Sequence, residues 1–278
     1  IPAMNLEAQR PDLSFVSLAS GSGGNASVVV AGDQALLVDC GISCKQVIRR
    51  MQAVGLDPER LRAILVTHEH RDHVAGVRVT AQRLGLPVYM TTACAQKLSL
   101  PEDVEVRHFQ PGVHFPVGHL EVEPYRIPHD TVDPVGFVVG CGDDRIGICT
   151  DLGSVTRLVI EKLRSCRVVL LEFNHDVAML RDGPYPWSLK QRVRGRHGHL
   201  SNDQAAQLLE KLGNARVEVV LLAHLSEKNN RPELALSAAQ GALLEGHSRP
   251  VRLELLTQNG PGPLIPVPAG GTCLTPPG

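Results

Sequence analysis

The stretch Ala63-Ile64-Leu65-Val66-Thr67-His68-Glu69-His70-Arg71-Asp72-His73 decides how the chain is read. A β-type apolar run stops at Thr67, and the next six positions deliver His68, His70, Asp72 and His73 before a helical pattern starts at Val74. Imidazole and carboxylate are ligands that suit zinc and manganese, and a strand-to-helix loop can turn four of them toward one point. An H-x-H-x-D-H run arises by chance in roughly one chain in a thousand of such composition, so a polar loop of solvated histidines is the weaker account.

Three positions further along share the same context, an apolar run ending in a ligand-type residue. His129 follows Arg126-Ile127-Pro128, Asp151 follows Gly147-Ile148-Cys149-Thr150, and His224 follows Leu221-Leu222-Ala223. A lone histidine is more often structural than a ligand, and it is the shared context that argues for metal here. On this reading His68, His70 and His129 hold one ion, Asp72, His73 and His224 hold another, and Asp151 bridges them. The implied cofactors are two divalent ions, zinc or manganese.

Composition bounds what surrounds this centre. The chain has 278 residues, 28 Lys+Arg against 29 Asp+Glu, 43% hydrophobic and 21% charged residues. That is a folded protein, and its net charge of −1 excludes holding nucleic acid by bulk charge, though not by a local patch. No apolar run reaches the ~18–20 residues of a membrane span and no signal-peptide pattern is present, so a cytoplasmic protein without membrane contact is expected. Seven cysteines without a C-x-x-C pair argue against a disulfide framework and suit a reducing compartment. Cys40, Cys149 and Cys166 lie in or beside apolar runs and read as packing residues. Aromatics at 3% argue against a stacking surface for single strands.

Short β-type runs, from 14–18 to 251–256, alternate with helices expected over 44–54, 74–84, 155–163, 201–212 and 232–244. Ser201 is the expected N-cap of the fourth helix and Pro232 lies in the first turn of the fifth. Two runs of strands, each closed by helices, predict an α/β fold of αββα sandwich type. A single domain is expected over 4–256, with Met4 as its natural start. Residues 257–278, with six Pro and five Gly in 22 positions, read as a flexible tail.

The segment 68–73 with His129, Asp151 and His224 resembles the metallo-β-lactamase-fold hydrolases. Further motifs resemble the YycJ/WalJ branch over about 14–256. They are S-L-A-S-G-S-G-G-N at 17–25, T-D-L-G at 150–153, L-E-F-N-H-D at 171–176, G-P-Y-P at 183–186, G-H-L-S-N at 198–202 and H-L-S-E-K-N-N at 224–230. The resemblance implies the metallo-β-lactamase αββα fold and a metal-dependent nuclease with 5′→3′ exonuclease action on duplex DNA. The chain is also similar to ribonuclease Z, whose Glu, Gly-His-Ser-Thr and His-Phe-Ser match Glu172, Gly198-His199-Leu200-Ser201 and His224-Leu225-Ser226 here.

Residues 189–199 carry Lys190, Arg192, Arg194 and Arg196 and no acid, directly before His199. A solvated face is the usual fate of such a run; its place beside a catalytic candidate favours a phosphate-facing patch, with Arg194 and Arg196 as contacts. The glycine-rich loop 20–25 makes Ser20, Ser22 and Asn25 candidates for cradling an anion, and Ser226 is a further substrate contact. Asp72, besides ligating, would orient a hydroxide or take its proton. His199 would donate a proton to the departing 3′ oxygen, and Glu172 would fix its tautomer. As an orienting residue, Glu172 should cost less when replaced than His199. His175 is open between supporting the site and touching substrate. Duplex DNA ends are the expected partner, with oligomeric state open and a homodimer included.

The alternative is hydrolysis of an acyl substrate (a β-lactam, lactone or thioester) at the same centre, a weak β-lactamase side activity included. Such an enzyme has less use for the basic run, Glu172 or His199. Redox chemistry is disfavoured because flavodiiron members carry Glu where this chain has His70. A non-catalytic binding module is disfavoured because no ligand position is degraded.

Overall fold

In strand β1 (Leu13–Ala19), Leu13 and Phe15 join one buried cluster while Val16 and Leu18 join another. A strand buried on both faces must lie inside a layered fold. The computed structural model describes residues 12–213 and 215–267. After β1 come β2 (Ala26–Ala31), β3 (Gln34–Val38), α1 (Cys44–Ala53), β4 (Leu61–Leu65), α2 (Arg71–Val74), α3 (Val77–Leu84), β5 (Val88–Thr91), α4 (Thr92–Leu98) and β6 (Val106–Phe109). The second half runs β7 (Phe115–Val117), β8 (Leu120–Arg126), β9 (Val135–Cys141), β10 (Asp144–Cys149), α5 (Arg157–Arg164), β11 (Val168–Glu172), α6 (Val177–Asp182) and α7 (Trp187–Val193). It closes with α8 (Asn202–Lys211), β12 (Val219–Ala223), α9 (Pro232–Gly246), β13 (Arg252–Leu255) and β14 (Ile265–Pro266).

Among the described residues two seven-stranded sheets form, in the orders β14-β1-β2-β3-β4-β5-β6 and β13-β12-β11-β10-β9-β8-β7. Their inner faces meet through Phe15, Val29, Leu65, Phe137, Ile148 and Leu221. Val47 and Met51 of α1 and Val77 of α3 cover the first sheet outside, and Val159 of α5, Leu208 of α8 and Ala239 of α9 cover the second. This is the expected αββα sandwich. Within it β3, β4, β5 and β6 run parallel, as do β10, β11, β12 and β13. Parallel strands present their carboxyl ends at one edge of a sheet, and the loops leaving those ends are where open α/β sheets bind ligands.

Helix starts follow the sequence. Ser201 caps α8 through a reciprocal capping box with Gln204, and Pro232 opens α9. Cys40, Cys149 and Cys166 are buried, and burial pushes each thiol up to about 12. Among the described residues no helix is long and apolar enough to cross a membrane.

Two expectations need correction. The helix over 74–84 is interrupted between α2 and α3, because Gly76 presses on the neighbouring loop: a Cβ there would meet Ile42 O at 1.9 Å, and its N–H donates to Cys40 O at 2.7 Å. The tail expected from residue 257 is structured as far as 267. β14 pairs antiparallel with β1, and Ile265 and Val267 are buried in the inner core. Proline and glycine content hid a short edge strand, where proline is tolerated. Residues 4–11 of the expected domain and 268–278 of the expected tail lie outside the described residues.

Candidate metal centre and active site

Most of the ligand-type residues sit where a strand ends, while Asp72 and His73 lie in α2. Thr67 and His68 follow β4, His129 follows β8, Asp151 follows β10, Glu172 is the last residue of β11, and His224 follows β12. Asp39, Asp151 and His224 adopt left-handed backbone angles, with φ of 57°, 57° and 56°. Such turns cost non-glycine residues about 1–3 kcal/mol each, and they persist where surrounding structure enforces them. Here they turn side chains out of the sheets into a common space.

The seven residues expected as ligands come together. His68 Nε2 and His129 Nε2 each lie 3.2 Å from His70 Nδ1, so three ring nitrogens converge. Asp72 Oδ2 lies 3.5 Å from both His73 Nε2 and His224 Nε2. Asp151 stands between these groups: Oδ2 is 3.1 Å from His73 Nε2, and Oδ1 is 3.8 Å from His129 Nε2 and 3.5 Å from His224 Nδ1.

The rings are braced from behind. His68 Nδ1 is 2.9 Å from Thr67 Oγ1, His129 Nδ1 donates to Gly198 O at 3.1 Å, and His224 Nδ1 donates to Glu172 Oε1 at 2.8 Å. His73 Nδ1 donates to Asp39 Oδ2 at 2.8 Å. Such bracing fixes which nitrogen is left to ligate. Asp39 was not anticipated from sequence. It also accepts Thr67 N and Oγ1 at 2.8 and 2.9 Å, so it holds the ligand loop as well as His73. Its signal is the one that marked Asp151: an apolar run, Leu36-Leu37-Val38, ending in a carboxylate.

These residues fit a cation. Asp151 Oδ2 and His224 Nε2 are buried without a hydrogen-bond partner, a costly condition that ligation would relieve. His68, His70 and His129 form one group of ligand atoms within 4.8 Å of each other, and Asp72, His73 and His224 form another. The electrostatics of the buried groups agree. Burial drives His68 well below the ordinary imidazole value, helped by His73, and burial lowers His129. Burial opposes charge on His224 and His73 too. The Asp151 carboxylate, with Asp72 and Glu172 at His224 and Asp39 at His73, outweighs it, raising His224 to about 10 and His73 well above its usual range. Burial likewise works against charged Asp151, which His224 and His73 nonetheless hold well below the carboxylate range.

Beside the cluster opens a cleft of about 310 Å³ whose lining includes Ser22, Asp72, Asp151, Arg192, His199 and Ser226. His199, its side chain 21% exposed, donates from Nδ1 to Glu172 Oε1 at 2.8 Å. Burial disfavours its charge, but Glu172 raises it above the ordinary imidazole value.

The expected substrate contacts divide. Ser22 is exposed in the cleft, and Ser226 lines it although its hydroxyl also accepts Asn229 N at 3.2 Å. Ser20 is buried with its hydroxyl accepting His224 N at 2.8 Å, which makes it a brace for a ligand rather than an open contact. Asn25 is likewise buried, exchanging hydrogen bonds with Gly21 N and O at 3.0 and 3.1 Å. Arg194 and Arg196 are exposed, but the residue of the basic run on the cleft wall is Arg192, paired with Asp130, and Arg71 lines the cleft as well. Lys190 turns away to Arg181 O, at 2.7 Å. Ring nitrogen Nδ1 of His175 is buried and unpartnered, and that residue does not line the cleft.

Residues 34–225 match the model of the β-lactamase superfamily domain. The exodeoxyribonuclease WalJ of Streptococcus pneumoniae is 36% identical over 225 residues, 78% of this chain and 83% of that protein. The exodeoxyribonuclease YycJ of Bacillus anthracis is 34% identical over 238 residues, covering 84% and 90%. The chain belongs to this family. Its β-lactamase superfamily fold is shared at 18% identity by the metallo-β-lactamase fold protein YhfI from Bacillus subtilis, with a TM-score of 0.69 over 90% of this chain and 99% of that one. The β-lactamase superfamily match starts at Gln34 and ends at Leu225, so it takes in every residue of the ligand cluster, Asp39 included.

Proposed function

We propose that this chain is a metal-dependent exodeoxyribonuclease acting 5′→3′ from duplex DNA ends, with two divalent ions, zinc or manganese, held at the cluster. The family supports hydrolysis of nucleic acid. The observation that carries the reading is the pairing of buried Glu172 with His199, whose ring lines the cleft and adjoins Asp151, with His199 Nδ1 3.7 Å from Asp151 Oδ1. An acyl hydrolase has little need of it.

His68, His70 and His129 would hold one ion and Asp72, His73 and His224 the other, with Asp151 between. Such ions polarise phosphoryl oxygens and lower the pKa of bound water toward neutrality. Asp72, besides ligating, can orient a water molecule and accept its proton. His199 protonates the departing 3′ oxygen, a poor leaving group as alkoxide. Glu172 keeps the proton of His199 on Nδ1 in the resting ring and stabilises the charged one. Arg192 and Ser22, on the cleft wall, contact phosphate.

The test is digestion of end-labelled duplex DNA and duplex RNA in parallel with a β-lactam, under Mn²⁺ and under Zn²⁺. Stepwise release of nucleotides from DNA 5′ ends is expected. Turnover of the β-lactam with intact nucleic acid would overturn the reading in favour of acyl hydrolysis.

A further inference from the structure

We propose that Trp187, with Arg194 laid against it, is a stacking platform for a nucleobase of the substrate strand outside the cleft; this rests on the nuclease reading above. Trp187 is the only tryptophan of the chain, and its side chain is 63% exposed. Tryptophan gains more than most side chains from burial, so leaving it in water forgoes stability unless a partner covers it. It is the first residue of α7, the helix that supplies Leu189 and Arg192 to the cleft wall. Helical spacing puts residues seven apart on one face, and Arg194, seven residues on, brings its guanidinium carbon to 5.9 Å from the indole centroid. That face is turned away from Leu189 and Arg192, so a strand reaching it must already have passed over the rim of the cleft.

Charge names the occupant. From Gly183 to Asn202 the chain has four Lys or Arg and no Asp or Glu. A flat aromatic face flanked by the Arg194 guanidinium, without an acid in the segment, suits a ligand that is anionic and carries flat apolar rings. A single strand of nucleic acid has both, and base–aromatic stacking is sequence-tolerant because every base has a π-face. An apolar protein partner is poorly served, because Ser188, Gln191 and Arg194 are exposed around the indole. Low aromatic content argued against a stacking surface, but one ring at the right place is sufficient for one base.

Because Trp187 is the only tryptophan, fluorescence excited at wavelengths that tyrosine does not absorb reports on this position alone. The full chain, loaded with Mn²⁺, is titrated with a phosphorothioate-linked oligothymidylate that resists cleavage, and with an abasic oligomer of equal length. Saturable quenching by the first and not by the second is expected. In steady-state cleavage of DNA with a single-stranded overhang, Trp187→Ala should raise KM by about 5- to 150-fold, the range that stacking of one base spans. Its kcat should stay within about twofold, and Trp187→Phe should recover most of the affinity. DNA cleavage with no quenching and an unchanged KM in Trp187→Ala overturns the platform and leaves the nuclease standing. Equal quenching by the abasic oligomer also overturns it. Quenching by the thymidylate without cleavage of any nucleic acid sustains the platform and sinks the nuclease reading.

Discussion

Glu172 Oε1 stands 2.8 Å from His199 Nδ1, and the same oxygen lies 2.8 Å from Nδ1 of the ligand-type His224. Its other oxygen accepts Leu152 N and Leu200 N, both at 3.0 Å. An ionised carboxylate can only accept, so Nδ1 carries the proton in both rings and Nε2 is left free in each. One buried side chain therefore sets the tautomer of the proposed acid and of a proposed metal ligand together.

Replacing it should harm both. A glutamine amide at position 172 cannot accept from four donors, and one of its ends would meet N–H groups with N–H groups. Glu172→Gln is expected to weaken metal affinity by about 10- to 100-fold, as loss of a group bracing a ligand does, and to lower kcat as well. This reverses the order expected from sequence, where Glu172 served His199 alone. Metal titration of the variant beside His199→Ala decides: equal metal affinity in the two would mean that Glu172 does not brace His224.

His199→Ala should lower cleavage of DNA by about 10²- to 10⁴-fold, the usual worth of a positioned general acid. Metal content should be unchanged. A nitrophenyl phosphodiester, whose leaving group needs no proton, should lose far less. Equal losses on the two substrates, measured as kcat/KM, would remove the acid role.

Asp151 adjoins both groups of ligand atoms, whereas His129 adjoins one. Elemental analysis should find two ions per chain in the wild type and one in His129→Ala, with both sites depleted in Asp151→Ala. One ion in the wild type, unaffected by Asp151→Ala, would defeat the binuclear arrangement. Circular dichroism should accompany it, because bound metal contributes to folding.

Ile265, 2% exposed against the inner core, is expected to behave as a core residue and not as part of a tail. Ile265→Ala should cost about 2–5 kcal/mol in urea unfolding. A loss below about 0.5 kcal/mol, the range of surface substitutions, would restore the tail reading for this segment.

Most of the sandwich was legible in sequence, because apolar periodicity and a ligand-type residue at a strand end are local signals. The convergence of His68, His70 and His129, and of Asp72, His73 and His224, was expected from that context; His68, His73 and Asp151, and Asp151, Glu172, His199 and His224, converge as well, which no local signal announced. What was not legible depends on contacts distant in sequence. Ser20 looked like a phosphate contact because its loop is glycine-rich, yet its hydroxyl serves His224 N, 204 residues away. Asn25 is committed to its own loop and to Asp72 and His73. Nothing local to residues 190–196 tells that Arg192 faces the cleft while Lys190 turns from it. Short elements such as β14 fall below what periodicity can register.

The glycine-rich loop is finished by a residue from the far end of the fold. Gln258 accepts Gly23 N and donates to Gly24 O, both at 2.8 Å, while Arg50 holds Gln258 O at 3.1 Å. Ser22 is carried by that same loop, and β1, from which the loop springs, pairs with β14. During synthesis, the cleft wall at Ser22 therefore cannot take its final form until some 235 further residues have left the ribosome. Contacts of such separation form late and slowly. The loop that carries Ser22 would therefore be finished only once translation had passed Ile265.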